Sequence, residues 1–247
     1  MLFDQAEYDL RCEWGPHGLR SLLPTSDVVA IVDVLSFSTA VDIAVANGAS
    51  VLPYRWKDNT ARQFADENGA LLATDRSAPG EYSLSPASLR SITAHTALVF
   101  PSPNGSVLCL STKGAPTFTA CLRNAPAVAR RISKVGSRIA LIPAGERWSD
   151  DTLRPSLEDL IGAGAVLSEL PGKPSPEAEL AVATFERFRR NLYDAVSRCG
   201  SGRELIEKGF ACDVRIATEY SVSSSVPVLA DGRFIDDPMS GHENRRA

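Results

Sequence analysis

Oxygen-bearing side chains gather directly after three apolar segments of this 247-residue sequence. The first group follows a run of strand-forming residues and consists of one acid and three hydroxyl residues: Asp33, Ser36, Ser38 and Thr39. The second is the Ser-Pro-Asn-Gly-Ser stretch at 102–106, and the third begins at Glu146 and leads to Glu158 and Asp159. Helix starts and glycine turns attract anions, whereas Mg²⁺ prefers separated carboxylates. Together these residues predict metal-assisted chemistry on a phosphorylated substrate.

Several of these residues also have plain structural explanations. Ser38 can serve as a helix N-cap, and Asn104-Gly105 is a common turn sequence. Glu158 and Asp159 lie near a predicted helix start, where acids complement the helix dipole without any further function. For these residues the sequence therefore leaves both explanations open.

Asp33 is harder to explain by structure alone. It ends an apolar strand, and a buried carboxylate is costly unless a partner compensates its charge. Arg76 follows a short strand-like segment. It could bind an anion through two parallel hydrogen bonds, or it could be an ordinary surface arginine.

The elements that must position these side chains alternate between strand and helix. Residues 27–35 are apolar on both faces and predict a central strand, and the helix after them ends at Asn47-Gly48. The same order of strand, polar loop and helix recurs at 96–115 and 138–170. We therefore expect a layered α/β/α fold with a mostly parallel or mixed central sheet. Ligands bind beyond the carboxyl ends of such strands, so the three groups should converge if their strands are parallel neighbours.

The last third of the sequence predicts mainly helices and one hairpin. Residues 171–179 are rich in Pro and Gly, and a long amphipathic helix follows over 176–198. Residues 226–236 read as two short strands around Asp231-Gly232. We expect one α/β domain over 1–238, with an internal division into two subdomains near 171–179, and a flexible tail at 239–247.

Composition excludes several classes of function. The net charge of −4 offers no basic surplus for a phosphate backbone, which argues against nucleic-acid binding. No apolar stretch has the length of a membrane span, and the acidic N-terminus is unlike a signal peptide, so we expect a cytoplasmic protein. The five scattered cysteines indicate reduced thiols rather than a disulfide framework. The apolar helices leave a homodimer open.

The motifs, taken in order, resemble the 2-phosphosulfolactate phosphatase family. The matching stretches are IVDVLSFSTAVDIAVANGA, SPNGS, NAPAVA, AGERW with LEDLIGAGA, GRELIEKGFACDV and SVPVLADGRF. Members of this family act in coenzyme M biosynthesis and use Mg²⁺. The resemblance implies an α/β phosphomonoester hydrolase that acts on a small acidic organic phosphate.

The resemblance also implies site residues. It carries over most directly to Asp33, Asn104, Gly105, Glu158 and Asp159. Asp33 would bind Mg²⁺ or act as a base, and Glu158 or Asp159 would complete the metal shell or position water. Glu146 is a further expected metal ligand.

The remaining expected residues would bind the phosphate. Its oxygens would be cradled by Ser38, Thr39, Asn104 and Ser106. Ser36 and Gly105 are further expected substrate-binding residues. Arg76 would neutralise charge that develops during transfer. The family usually has an arginine at position 36, and the serine found here removes a fixed positive charge.

Two other functions fit parts of the sequence. Asp33 could be the covalent nucleophile of an aspartyl-phosphate phosphatase, although that chemistry typically needs a second aspartate where this chain has Leu35. Alternatively, the protein could be a non-catalytic module that binds an anionic metabolite. Ser36 favours this function, and the retained carboxylates count against it.

Overall fold

The computed structural model describes residues 3–55, 58–78, 80–237 and 239. The strands are β1 Leu10–Cys12, β2 Val28–Val32, β3 Ser50–Tyr54, β4 Leu71–Leu72, β5 Ala97–Pro101, β6 Thr117–Ala120, β7 Ile139–Pro143, β8 Glu146–Arg147, β9 Leu153–Arg154, β10 Pro227–Ala230 and β11 Arg233–Asp236. The helices are α1 Gly15–Leu22, α2 Phe37–Ala46, α3 Asn59–Glu67, α4 Gly105–Cys109, α5 Ala125–Ile132, α6 Leu157–Leu167, α7 Pro176–Phe188, α8 Leu192–Arg198, α9 Gly200–Glu207 and α10 Ala211–Ala217. Two 3₁₀ helices span Leu23–Thr25 and Pro86–Ser91.

Nine of the strands form one mixed sheet in the order β1-β7-β2-β6-β10-β11-β3-β5-β4. The four strands before β10 pair in parallel, as do the three strands after β11. The β10–β11 hairpin joins the two parallel parts through antiparallel pairs, with Val228 opposite Phe118 and Phe234 opposite Val51. The expected mixed, mostly parallel α/β sheet is confirmed.

Helices cover both faces of this sheet, because its strands are apolar on both sides. Val28, Ala30 and Val32 of β2 pack into a core shared with α5, α6 and α7. Val29 and Ile31 point to the opposite core, which contains α2. The part of the chain that the structure describes contains no helix long and apolar enough to cross a membrane.

The sheet curves so that distant strand ends meet. β2 and β5 lie five positions apart in the sheet order, which is about 24 Å in a flat sheet. Nevertheless the main-chain N–H of Gly105, which follows β5 after a turn, lies 3.0 Å from the carboxylate of Asp33, which follows β2. The Phe37 and Phe100 rings pack edge to face beside them, with centroids 5.9 Å apart. The sequence analysis expected three parallel neighbours: β2 and β7 are such neighbours, whereas β5 lies apart and its loop reaches Asp33 from the other parallel part of the sheet.

Two further expectations about the chain can be compared directly. The hairpin at Asp231-Gly232 is confirmed, and both residues have positive φ angles (49° and 79°), as a tight two-residue turn requires. The single long helix over 176–198 is wrong. α7 ends at Phe188 and α8 begins at Leu192, because Asn191 is non-helical and turns the chain so that α8 packs on the same core as α7.

Residues 171–179 connect two helices that pack closely together. α6 and α7 approach so tightly that a Cβ added to Gly164 would lie 2.0 Å from the carbonyl oxygen of Ala181. Strand β6 lies between β2 and β10 in the sheet, and helix α5 packs into the same core as β2. The sequence analysis predicted neither element. Of the expected tail at 239–247, only Met239 lies within the described residues.

Candidate active site

Asp33 occupies the first turn after β2 and is almost completely buried. Its two carboxylate oxygens accept hydrogen bonds from the main-chain N–H groups of Phe37, at 3.2 Å, and Gly105, at 3.0 Å. Burial raises the pKa of Asp33 to about 6, although the two hydrogen bonds oppose this shift and the nearby charge of Glu158 adds to it. Asp33 is therefore a fixed carboxylate that needs a compensating positive charge.

The loop after β5 supplies an amide beside this carboxylate. The Nδ2 group of Asn104 donates a 2.9 Å hydrogen bond to Oε2 of Glu146. Glycine is required at position 105, because a Cβ there would lie 2.3 Å from the Phe37 ring and 2.9 Å from the Asp33 carboxylate. The loops after β2, β5 and β7 are thus in direct contact.

Glu146 begins β8, in the loop region that follows β7. Burial raises the pKa of its carboxyl group to about 7, and the charges of Asp33 and Glu158 act in the same direction. The Asn104 hydrogen bond and the charge of Arg154 oppose the shift. Glu146 is consequently an acid with a pKa close to neutrality, which suits proton transfer.

Asp159 lies in the first turn of α6 and links two of the loops. Its carboxylate accepts hydrogen bonds from the main-chain N–H groups of Val34, at 2.7 Å, and Gly145, at 2.9 Å. Burial and the neighbouring acids raise the pKa of Asp159 well above its ordinary value. Its contacts indicate that it positions the segments that carry Asp33 and Glu146.

Glu158 is buried behind the same cluster. Its Oε2 accepts a 3.1 Å hydrogen bond from the Cys199 thiol. Burial and the charge of Glu158 raise the pKa of this thiol to about 12. Glu158 influences Asp33 and Glu146 through its charge. It does not line the cavity that those two residues share.

Arg76 reaches the cluster from the segment after β4. Its Nη2 group donates to the hydroxyl of Ser36, and its Nε donates to the carboxylate of Asp213 at 3.2 Å. Ser36 directly precedes α2. Asp213 on α10 was not expected from the sequence, although it lies within the GRELIEKGFACDV stretch. The guanidinium of Arg76 therefore lies next to position 36.

Three expected hydroxyls bond to the protein interior. The Ser38 hydroxyl contacts Thr119 at 2.6 Å, and the Thr39 hydroxyl donates to the Val34 carbonyl at 2.8 Å. The Ser106 hydroxyl donates to the carbonyl of Phe100 at 2.9 Å. All three are fully buried and do not line the cavity. The geometry gives these side chains a structural part, and it does not support direct contact with a phosphate.

A cavity of about 140 Å³ opens where the loops meet. Its walls contain five of the expected site residues: Asp33, Ser36, Arg76, Asn104 and Glu146. Two acids, one cation and one amide thus face one small polar volume.

A second cavity of about 410 Å³ lies directly beside the first. The two cavities share Asn104 and Glu146 as common wall residues. His17 and Arg147 also line the second cavity, and Arg147 contacts the exposed carboxylate of Asp151 at 3.1 Å. Exposed ion pairs of this kind contribute little stability, so Arg147 remains able to bind another anion.

Asp33 and Glu146 have the chemistry of ligands for a hard cation. Among the described residues, no three His, Cys, Asp or Glu side chains form a cluster that could hold a metal ion. Mg²⁺ does not require such a cluster, because it keeps several waters and needs only one or two protein carboxylates. The two carboxylates therefore fit Mg²⁺, and its binding remains a prediction.

The fold and the cavity define a class of protein before any comparison is made. Helices flank a largely parallel sheet, and the strand ends bring together acids and a cation, as in α/β enzymes that act on phosphorylated small molecules. Residues 17–232 match the family model for 2-phosphosulpholactate phosphatase. The chain belongs to the 2-phosphosulpholactate phosphatase family, and it is accordingly a phosphoric monoester hydrolase.

Curated relatives agree with this family. A probable 2-phosphosulfolactate phosphatase of Symbiobacterium thermophilum is 28% identical over 228 residues, which cover 84% of this chain and 93% of the relative. Proteins with the same name from Pseudothermotoga lettingae and Gloeobacter violaceus are 26% and 27% identical. They match 84% and 82% of this chain, and 92% and 88% of their own lengths. The family resemblance expected from the sequence motifs is confirmed.

Proposed function

We propose that this protein hydrolyses the phosphate ester of a small acidic substrate of the 2-phosphosulfolactate type, with Mg²⁺ bound. One observation carries the proposal: Asp33, Glu146 and Arg76 line the same small cavity. Phosphoryl transfer depends mainly on positioning and on stabilising negative charge, and this cavity combines groups for both. The family membership supports the same reaction class.

Arg76 is the group proposed to bind the phosphate. Its Nε and Nη2 atoms are engaged by Asp213 and Ser36, and its Nη1 has no hydrogen-bond partner among the described residues. The outer end of the guanidinium can therefore donate to phosphate oxygens, which matches the geometry that arginine prefers.

Asp33 is the proposed metal ligand, with Glu146 as the neighbouring acid. Both oxygens of Asp33 are fixed by main-chain N–H groups, so its position is set in advance. Burial and the charge of Glu158 raise the pKa of Asp33 more than the charge of Arg76 lowers it, and a bound cation would offset this cost. When bound, Mg²⁺ would withdraw negative charge from the phosphoryl group.

Glu146 is the proposed proton acceptor. In this scheme a water oxygen bonds to phosphorus while the phosphorus–oxygen bond to the organic group breaks. The proton of the water passes to Glu146 and then to the departing alcohol. The hydrogen bonds to both oxygens of Asp33 lower its nucleophilicity, so we favour attack by water over a covalent Asp33 phosphate.

The acidic part of the substrate is proposed to occupy the second cavity. Arg147 and His17 lie there, and the shared residues Asn104 and Glu146 border both spaces. A phosphate at Arg76 would therefore leave its organic group facing Arg147, whose exposed pair with Asp151 leaves its charge available to an acidic organic group.

Phosphate release from a panel of esters tests the proposal. The panel contains 2-phosphosulfolactate, other phosphorylated hydroxy acids and a neutral aryl phosphate, each with Mg²⁺ or with EDTA. We expect the acidic esters to react fastest, Mg²⁺ to be required, and Asp33→Asn to abolish turnover. Glu81→Gln, which changes an exposed acid, serves as the control. Equal rates in EDTA would refute the metal dependence, and faster hydrolysis of the neutral ester would refute the substrate class.

A further inference from the structure

We infer that Asp213 is a positioning residue that holds the Arg76 guanidinium at the phosphate cavity. This inference rests on the proposed function, because it assumes that Arg76 binds the phosphate. It gives a specific part to α10, which lies far from the other site residues in sequence. The supporting observations are the lack of regular structure around Arg76 and the contacts of the buried Asp213 carboxylate.

The segment that carries Arg76 provides little support of its own. Described residues between β4 and the 3₁₀ helix at Pro86–Ser91 lie in turns and bends, apart from one isolated bridge between Thr74 and Ser83. An arginine side chain loses considerable rotamer entropy when it is held in one geometry. Accurate placement of the Arg76 guanidinium therefore requires an anchor from another element.

Asp213 supplies this anchor from α10. Its carboxylate is 1% exposed and accepts hydrogen bonds from Arg76 Nε at 3.2 Å and from the Ser85 hydroxyl at 2.5 Å. The main-chain N–H of Ala87 lies 3.4 Å from the same carboxylate. Asp213 thus connects Arg76 to the chain segment at Ser85 and Ala87.

The orientation of the guanidinium follows from these contacts. Asp213 and Ser36 accept from Nε and Nη2, which form one edge of the planar group. The Phe210 ring lies 5.9 Å from the Arg76 Cζ atom and restricts the plane further. The opposite end of the group, which carries Nη1, is left for an anion in the cavity. Asp213 therefore selects which end of Arg76 meets the phosphate.

Stability alone does not account for this arrangement. A buried ion pair gives little net stability, because desolvation of the charges offsets their attraction. The Arg76 side chain is 22% exposed and lines the cavity. The consequence of the pair is a defined position for the guanidinium.

A double-mutant cycle tests the inference in two assays, steady-state hydrolysis and calorimetric binding of inorganic phosphate. Asp213→Asn should lower kcat/KM about 10- to 100-fold and weaken phosphate binding, as expected for a misplaced binding group. Arg76→Ala should have an effect at least as large. The double variant should match Arg76→Ala alone, because Asp213 acts only through Arg76. Effects that multiply in the double variant would overturn the inference.

Chemical rescue gives a readout that general damage to the fold would not produce. Millimolar guanidinium should restore part of the activity and phosphate binding of Arg76→Ala, since Asp213 would hold the free ion where the side chain was. The same addition should not restore Arg76→Ala/Asp213→Asn. Equal rescue of both variants would show that Asp213 does not position the group.

Asp42 provides a matched control. It is also buried, pairs with Arg123 at 2.9 Å and accepts from Ser223 at 2.6 Å, but its partner Arg123, unlike Arg76, does not line the cavity. Asp42→Asn should lower the melting temperature and leave kcat/KM of the folded protein unchanged. A loss of phosphate binding as large as that of Asp213→Asn would refute a specific role for Asp213.

One further variant and one further observation separate a failure of this inference from a failure of the proposed function. If Asp213→Asn does not fold, Ser85→Ala removes one contact that orients the same carboxylate and should weaken phosphate binding about 3-fold. Unchanged binding in that variant would count against the inference. If the wild-type protein binds phosphate but hydrolyses none of the esters, the proposed function fails, and the phosphate-binding cycle still decides the role of Asp213.

Discussion

Replacing Glu146 with glutamine should stabilise the metal-free protein at alkaline pH while it impairs the reaction. Glutamine has nearly the same shape, and its Oε1 can still accept the hydrogen bond that Asn104 donates at 2.9 Å. The substitution therefore removes mainly the negative charge. That charge is unfavourable in the fold because Glu146 is largely buried beside Asp33 and Glu158.

The magnitude follows from the raised pKa of Glu146. A rise from the ordinary value of 4.5 to about 7 corresponds to about 3 kcal/mol, at about 1.4 kcal/mol per pKa unit. The side chain keeps some contact with solvent and shares its shift with Asp33, so we expect about 1–2 kcal/mol. The folded state binds its proton more tightly, and wild-type stability therefore falls as the pH rises from about 4.5 to about 7. Glu146→Gln should lack this part of the decline.

Urea unfolding followed by circular dichroism, in EDTA and at intervals from pH 4 to pH 8, measures the effect. The two proteins should differ little at pH 4, where both states of the wild type are protonated at Glu146. The variant should be more stable above pH 7, and the control Glu81→Gln should follow the wild type. Parallel profiles for wild type and Glu146→Gln across the whole range would refute the idea of uncompensated charge at this site.

Three further substitutions have distinct expected outcomes. Mg²⁺ should raise the melting temperature of the wild type and not that of Asp33→Asn. At a Mg²⁺ concentration 100 times the dissociation constant, the wild type should gain about 2.7 kcal/mol of stability. Equal shifts in the two proteins would exclude Asp33 as a ligand. Gly105→Ala would place a Cβ 2.3 Å from the Phe37 ring, so activity should fall along with stability, by about 1–3 kcal/mol. Gly164→Ala should destabilise at least as much through its clash with Ala181 but leave kcat/KM of the folded protein unchanged, because Gly164 lines neither cavity. A changed value would contradict this separation.

The sequence predicts those features that depend on local pattern. The apolar run before Asp33 indicated a buried strand, and the Asp231-Gly232 pair indicated the hairpin. Both are found. Asp33 was singled out because a carboxylate at the end of such a strand needs a partner, and its contact with Gly105 shows that distant loops do meet there.

Features that depend on distant packing were not predictable in the same way. The hydroxyls of Ser38 and Thr39 suggested anion binding. However, the Ser38 hydroxyl contacts Thr119 from a distant strand, and the Thr39 hydroxyl donates to the nearby Val34 carbonyl. The pairing of Arg76 with Asp213 joins residues 137 positions apart, and no local pattern specifies it. The break before α8 likewise depends on the shape of the core, which the helical periodicity does not contain.

The position of the β10–β11 hairpin has a consequence for how the chain assembles. Strands β10 and β11, which bridge β6 and β3, are synthesised after both of them, so the two sheet edges that they join stay unpaired in the nascent chain until then. A product ending before residue 227 would expose both borders, and unpaired strands of this kind recruit other chains. Loss of the β10–β11 hairpin should therefore lead to aggregation rather than to a smaller folded protein.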